Sequence, residues 1–155
     1  MCDNNDRANW RNWLAGRLLF VAYAFILAVI IGGCNRADGA TTLVDAIHMV
    51  ESGGRTGPIR GDGGRALGPL QIHRACWIDS GIPGRYEDCA DLAYSKRVFA
   101  AYVARYATER RLGRPVTDED RARLWNGGPN AHKATGRKKA NLDRYWAKVQ
   151  KELNR

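Results

Sequence analysis

A mainly helical α+β fold is predicted by three features of the sequence. The 155 residues suffice for one domain with a real core but not for two ordinary ones. Apolar residues recur at helical spacing in four separate stretches, and one segment between them is too dense in glycine and proline to be helical. Hydrophobic residues make up 45% and charged residues 26%, a balance that argues against a disordered chain or a coiled coil.

Residues 1–34 read as an export signal. Arg7, Arg11 and Arg17 precede the uncharged run "LLFVAYAFILAVIIGGC", Leu18 to Cys34, after which polar residues begin at once. The end of the run, Ile31-Gly32-Gly33-Cys34, resembles a bacterial lipoprotein signal, which implies lipidation of Cys34. An uncleaved membrane anchor is the competing reading, because the run approaches the roughly 20 residues that span a bilayer. Simple secretion is the third. Residues 35–41 form a short linker, and 42–155 form the domain. Under every reading the chain from Asn35 onward is exported, to the cell envelope or beyond it.

Thr42 is placed to cap a helix from Leu43 to about Glu51, with Val44, Ile47 and Val50 on one side and Gly53-Gly54 ending it. The next stretch holds Gly53, Gly54, Gly57, Gly61, Gly63, Gly64 and Gly68 with Pro58 and Pro69, a density suited to turns and a small hairpin that "LQIH" would close as a strand. Leu92, Phe99, Tyr102, Val103 and Tyr106 predict the longest helix, from about Asp88 to Leu112, stopped by Gly113 and Pro115. Thr117 with Asp120 marks another helix start, and this helix runs to the break "NGGPN" at Asn126–Asn130. The last helix, from about Asn141 to Leu153, aligns Leu142, Trp146, Val149 and Leu153.

Two acids stand out for chemistry. Glu51 lies four and seven residues after Ile47 and Val44, so it shares a helix face with side chains that should point inward. Partial desolvation and the negative end of the helix dipole both disfavour its anion, as a general acid at neutral pH requires. Asp62, between Gly61 and Gly63 and close to Arg60 and Arg65, should be solvated and ionised. One protonated and one ionised carboxyl group facing a cleft is the arrangement glycoside hydrolysis uses. The plain alternatives are a solvated helix end and a turn aspartate.

Four cysteines divide between the leader and the domain. Cys76 and Cys89 are the two in the domain, and export makes a disulfide between them the expectation, worth roughly 3 kcal/mol in the chain-entropy model. Two buried free thiols are the alternative. His48, His73 and His132 lack metal-ligand spacing, and no phosphate-binding or zinc motif is present, so neither a metal nor a cofactor is expected. The formal charge of +9 favours an anionic partner. Removing the three arginines and two aspartates of residues 1–34 leaves +8 on the remainder. These basic residues are scattered and form no recognition motif, which argues against nucleic acid. The "RGD" at Arg60–Asp62 carries no weight.

In order along the chain, "VESGG", "GPLQI", "WIDSGIPG", "DCADL", "WNGGPN" and "RYWAKV" resemble the invertebrate-type lysozymes, the destabilase family, over about Leu43 to Val149. The resemblance implies a lysozyme-like fold with a small β-hairpin wing. It also implies cleavage of the β-1,4 bond between N-acetylmuramic acid and N-acetylglucosamine in peptidoglycan, with Glu51 as the acid and Asp62 as the second carboxylate; Asp79 is the fallback. Gln71, His73, Trp77, Asn126 and Tyr145 are the candidate substrate contacts, with Trp146 assigned to the core. The chain departs from the family in having few cysteines: Gly54 stands where a cysteine usually follows "ESG", Ser80 replaces another, and Trp125 stands where histidine is common. More loosely the pattern resembles the soluble lytic transglycosylases, which need only the glutamate. A non-catalytic module that holds peptidoglycan, or inhibits a relative through its basic surface, is the reading from another class. The sequence discloses neither a proteinaceous inhibitor of the enzyme nor an oligomeric state.

Overall fold

The computed structural model describes residues 41–155. The export segment, Cys34 and most of the linker lie outside the described residues. Among the described residues six helices and a small sheet follow in order: α1 (Leu43–Ser52), β1 (Arg60–Gly61), β2 (Ala66–Leu67), β3 (Ile72–His73), α2 (Arg74–Ser80), α3 (Leu92–Tyr106), α4 (Glu109–Leu112), α5 (Asp118–Gly127) and α6 (Gly136–Leu153). Single 3₁₀ turns occur at Asp62–Gly64, Tyr86–Ala90 and Ala131–Lys133. Among the described residues no helix is long and apolar enough to cross a membrane.

Helix α1 starts where Thr42 Oγ1 accepts the Asp45 amide hydrogen, and it ends in a left-handed Gly53 at φ 66°. The Gly53 and Gly54 amides return to the Met49 and His48 carbonyls, closing the last turn. The side of α1 that carries Ala46 and Ile47 packs on α6, and α5 fills the angle between them. Val98, Phe99, Tyr102 and Val103 of α3, Leu124 of α5 and Val149 of α6 complete one continuous core.

The glycine-rich segment forms a three-stranded antiparallel meander rather than a simple hairpin. Arg60 pairs with Leu67, and Leu67 in turn with Ile72. This wing is anchored by apolar plugs, Leu67, Leu70 and Ile72, which are almost wholly buried. The Tyr86 hydroxyl adds a hydrogen bond of 2.7 Å to the Ile72 carbonyl.

Three helix boundaries differ from those the periodicity predicts. The long helix expected over 88–112 is broken. Asp91 caps α3 by accepting the Tyr94 amide hydrogen at 2.7 Å, and Thr108 starts α4 by capping Arg111 after the chain leaves helical geometry at Ala107. Among the described residues the longest helix is instead α6, which begins at Gly136, so the basic "GRKK" forms its first turn. Those residues carry no apolar stripe because the helix reaches the core only from Leu142 onward. The short helix α2 was not expected; it begins directly from β3 at His73. The start at Thr117 is as expected, a reciprocal capping arrangement with Asp120.

Gly68 has φ 80°, and a Cβ placed there would lie 1.7 Å from the Cys89 carbonyl oxygen. Gly68→Ala is therefore expected to lower stability by at least about 1 kcal/mol, through both the left-handed backbone and the clash. Chemical denaturation of the two proteins checks this, and an unchanged midpoint would refute the close approach.

Candidate functional site

The wing and the helical body face each other across a groove of about 550 Å³. Glu51 and Asp62 both line it, as do Gln71, His73 and Asn126. Residues from α1, the wing, α2, α3 and α5 thus converge on one concavity, although they span more than half of the described chain.

Glu51 is half-buried in the last turn of α1. The Tyr145 hydroxyl, on α6, donates to Glu51 Oε1 at 2.7 Å. Burial pushes the Glu51 carboxyl above the ordinary glutamate range, and this outweighs the opposite pull of the Tyr145 hydrogen bond and the Lys148 charge. The group is thereby biased toward its protonated form.

Asp62 is held differently. It has φ 49°, and Gly63 and Gly64 follow at 63° and 89°, so three successive residues occupy the left-handed region. Aspartate tolerates that region better than most side chains, and glycine enters it freely. Its carboxylate is 45% exposed, paired with Arg65 Nη2 at 2.7 Å, and His73 Nε2 lies 3.4 Å from the other oxygen. The groove therefore holds one desolvated carboxyl group and one that is water-accessible beside the Arg65 guanidinium.

Gln71 lines the groove, but its amide also ties the wing together. Nε2 donates to the Gly68 carbonyl at 2.9 Å, and Oε1 fills the space a Cβ on Gly61 would need. His73 is half-exposed over Asp62. Asn126 is exposed, and its side-chain amide has no hydrogen-bond partner among the described residues.

Two of the five expected substrate contacts are not groove-lining. Trp77 packs its ring 6.0 Å from Tyr86 and donates its indole N–H to Tyr94 Oη at 2.8 Å, so it braces α2 against its neighbours. Tyr145 is only 8% exposed and lies behind Glu51, where its polar atom is engaged by the acid. Trp146 is partly buried against the core. Asp79, the fallback acid, is held by the Tyr106 hydroxyl and by Arg105, away from the groove lining.

The expected disulfide is also corrected, since Cys76 and Cys89 are free thiols. Cys76 forms part of the groove wall from α2, while Cys89 is enclosed in the core. Each acts as a small apolar filler, and burial pushes the thiols up to about 12 and about 11 respectively.

Tyr102 and Trp125 also line the groove, and neither was singled out for function from the sequence. The available signal was the position of Trp125 directly before Asn126. Among the described residues no group of three or more histidine, cysteine or acidic side chains is arranged to hold a metal.

A mainly helical body, a small antiparallel wing and two unlike carboxyl groups facing one groove define the lysozyme-like class. No family model matches the chain. It is 44% identical over 87 residues to Lysozyme 1 of Crassostrea virginica, a match that covers 55% of this chain but spans under half, 44%, of that protein. It is 36% identical over 111 residues to the lysozyme of Meretrix lusoria, covering 70% of this chain and 85% of the relative. The crystal structure of Tapes japonica lysozyme superposes with a TM-score of 0.58 at 32% identity, over 70% of this chain and 86% of that one. The structure of Aeromonas hydrophila PliI in complex with Meretrix lusoria lysozyme matches with the same score and identity, over 74% and 93%. The chain belongs to the invertebrate-type lysozyme family, a family of glycoside hydrolases.

Two titration outcomes follow from the environment of Glu51. Tyr145→Phe removes a donor that favours the anion but keeps the burial, so the Glu51 midpoint, followed by carboxyl ¹³C NMR, is expected to move further upward; a downward move would contradict the hydrogen bond. Folding raises the Glu51 pKa, so the native state binds this proton more tightly than the unfolded chain. Its contribution to stability then declines as pH climbs from the ordinary glutamate range through the folded value. The stability difference between Glu51→Gln and the parent should grow in the variant's favour across that window, as read from denaturant midpoints at a series of pH values.

Proposed function

We propose that this chain hydrolyses the β-1,4 bond between N-acetylmuramic acid and N-acetylglucosamine in peptidoglycan. The observation that supports this most is the pair of unlike carboxyl groups lining a single groove, Glu51 biased toward its acid form and Asp62 accessible to water. Membership in a lysozyme family supplies the substrate class.

In this reading Glu51 donates its proton to the glycosidic oxygen as the bond from that oxygen to the anomeric carbon breaks. The leaving sugar departs as a neutral alcohol, and positive charge develops on the sugar that remains. The Asp62 carboxylate stabilises that charge, either by bonding to the anomeric carbon or by drawing a proton from the attacking water. Water completes the reaction, and Glu51 recovers a proton. Arg65 and His73 keep Asp62 in place, while Tyr145 keeps Glu51 aimed from behind. Gln71, His73 and Asn126 offer polar contacts to the glycan.

The remainder of the assignment concerns place. The signal-like segment before Cys34 supports export, with lipidation at Cys34 holding the enzyme at the envelope. The positive charge of the exported part suits an anionic wall.

Purified sacculi digested with the enzyme are expected to yield fragments with reducing muramic acid ends. Glu51→Gln should lose this activity by at least about a hundredfold, in keeping with loss of a general acid, while remaining folded. Retained activity in that variant would end the proposal. Release of 1,6-anhydro ends, together with full activity in Asp62→Asn, would make the enzyme a lytic transglycosylase. Saturable binding to sacculi without released fragments would make it a binding module.

A further inference from the structure

Two aromatic side chains line the groove, Tyr102 and Trp125. Tyr102 is buried and packs internally, its ring 5.1 Å from Tyr106 and 6.0 Å from Trp125. Trp125 is different because it is only half-buried. Phe99 meets its ring at 5.0 Å and 64°, and Tyr102 at 83°, so the indole is fixed before any ligand arrives. A contact surface that is already ordered loses little freedom on binding.

The indole also has an unused polar end. Trp77 commits its N–H to Tyr94, but the Trp125 Nε1–H has no acceptor among the described residues. No buried side-chain nitrogen or oxygen is left without a partner among those residues, so this N–H reaches solvent. Asn126, which follows it, presents a free amide, and Gly128 then leaves open space where a side chain would stand.

A rigid, partly exposed ring with a spare donor suits a ligand that has flat C–H faces and a rim of oxygens, as a pyranose does. The ionisable groups of the lining are Glu51, Asp62, His73, Cys76 and the buried Tyr102, with neither lysine nor arginine, and the neighbouring Arg65 is paired with Asp62, so a phosphate-bearing ligand finds no uncommitted cationic clamp there. The acetamido oxygen of an N-acetylated sugar gives the adjacent donors an acceptor.

We propose that Trp125 is a substrate-contacting, specificity-determining residue of the groove, packing its indole against an N-acetylhexosamine ring and donating Nε1–H to a sugar oxygen. This rests on the glycan-hydrolase reading of the same groove. Nothing else in the groove offers a comparable apolar surface to a sugar, because Tyr102 is enclosed and the remaining aliphatic groups, Ala66, Ile72 and Ala75, are small or buried.

The test uses ¹⁵N-labelled protein carrying Glu51→Gln, titrated with the β-1,4-linked trimer of N-acetylglucosamine. The indole N–H cross-peak of Trp125, identified by its disappearance in Trp125→Phe, is expected to shift as the trimer is added. Calorimetric affinity should fall about tenfold in Trp125→Ala and less in Trp125→Phe, which keeps the ring contact and loses the donor. If Trp125→Ala does not fold, the cross-peak and the Phe variant decide the matter alone. A trimer that binds without moving the cross-peak, and with unchanged affinity in Trp125→Phe, overturns the subsite. When the parent still digests sacculi in that case, only the role of Trp125 falls. A parent that neither binds the trimer nor digests sacculi takes both readings down together.

Discussion

The structure depends on the contact between the end of α1 and the face of α6, where a glutamate is withdrawn from water and met by one tyrosine hydroxyl. Desolvation favours the neutral carboxyl group, and the hydrogen bond partly restores the anion. The balance leaves an acid that holds its proton more tightly than a free glutamate while its orientation is fixed. Ala46 and Ile47 on α1 and Val149 on α6 provide the apolar packing that keeps the two helices in register, so the chemistry of one carboxyl group is set by core packing.

The wing solves a different problem. A second carboxylate must face the first without sharing its environment, and a short, glycine-rich meander does this by presenting Asp62 on a left-handed turn open to solvent. Such a turn is weak by itself, since strands of two residues contribute few hydrogen bonds. Its order comes from outside: the buried plugs Leu67, Leu70 and Ile72, the Tyr86 hydroxyl, and the Gln71 side chain lying where Gly61 has no Cβ. Gly61 and Gly68 are thus sites of close approach, not merely flexible residues.

The few cysteines fit the same economy. Cys89 occupies a fully enclosed position in the core beneath the wing, and Cys76 completes the groove wall, so both are used for shape. The aromatic cluster of Phe99, Tyr102, Tyr106 and Trp125 joins α3 to α5 and gives the groove a rigid floor. Rigidity there is useful to a site that must hold a flexible polymer in a fixed position relative to two acids.

Much of this was legible in the residue order because it depends on local rules. Thr42 and Thr117 as caps, Gly53 as a helix end, and Glu51 on the apolar face of α1 follow from spacing and capping chemistry, and the exposure of Asp62 follows from the glycines around it. What the sequence could not determine was which distant side chains would meet. Tyr145 is 94 residues from Glu51, and only the packing of α6 on α1 decides that its hydroxyl reaches the acid and not the substrate. Trp77 and Asp79 carry the residue types of a sugar site, yet the direction of α2 gives them to Tyr94 and Tyr106. Cys76 and Cys89 have a spacing that permits a bond, yet both are free thiols, one in the groove wall and one in the core. Local stereochemistry is encoded over a few residues, whereas side-chain partnerships across the groove exist only once the core has closed.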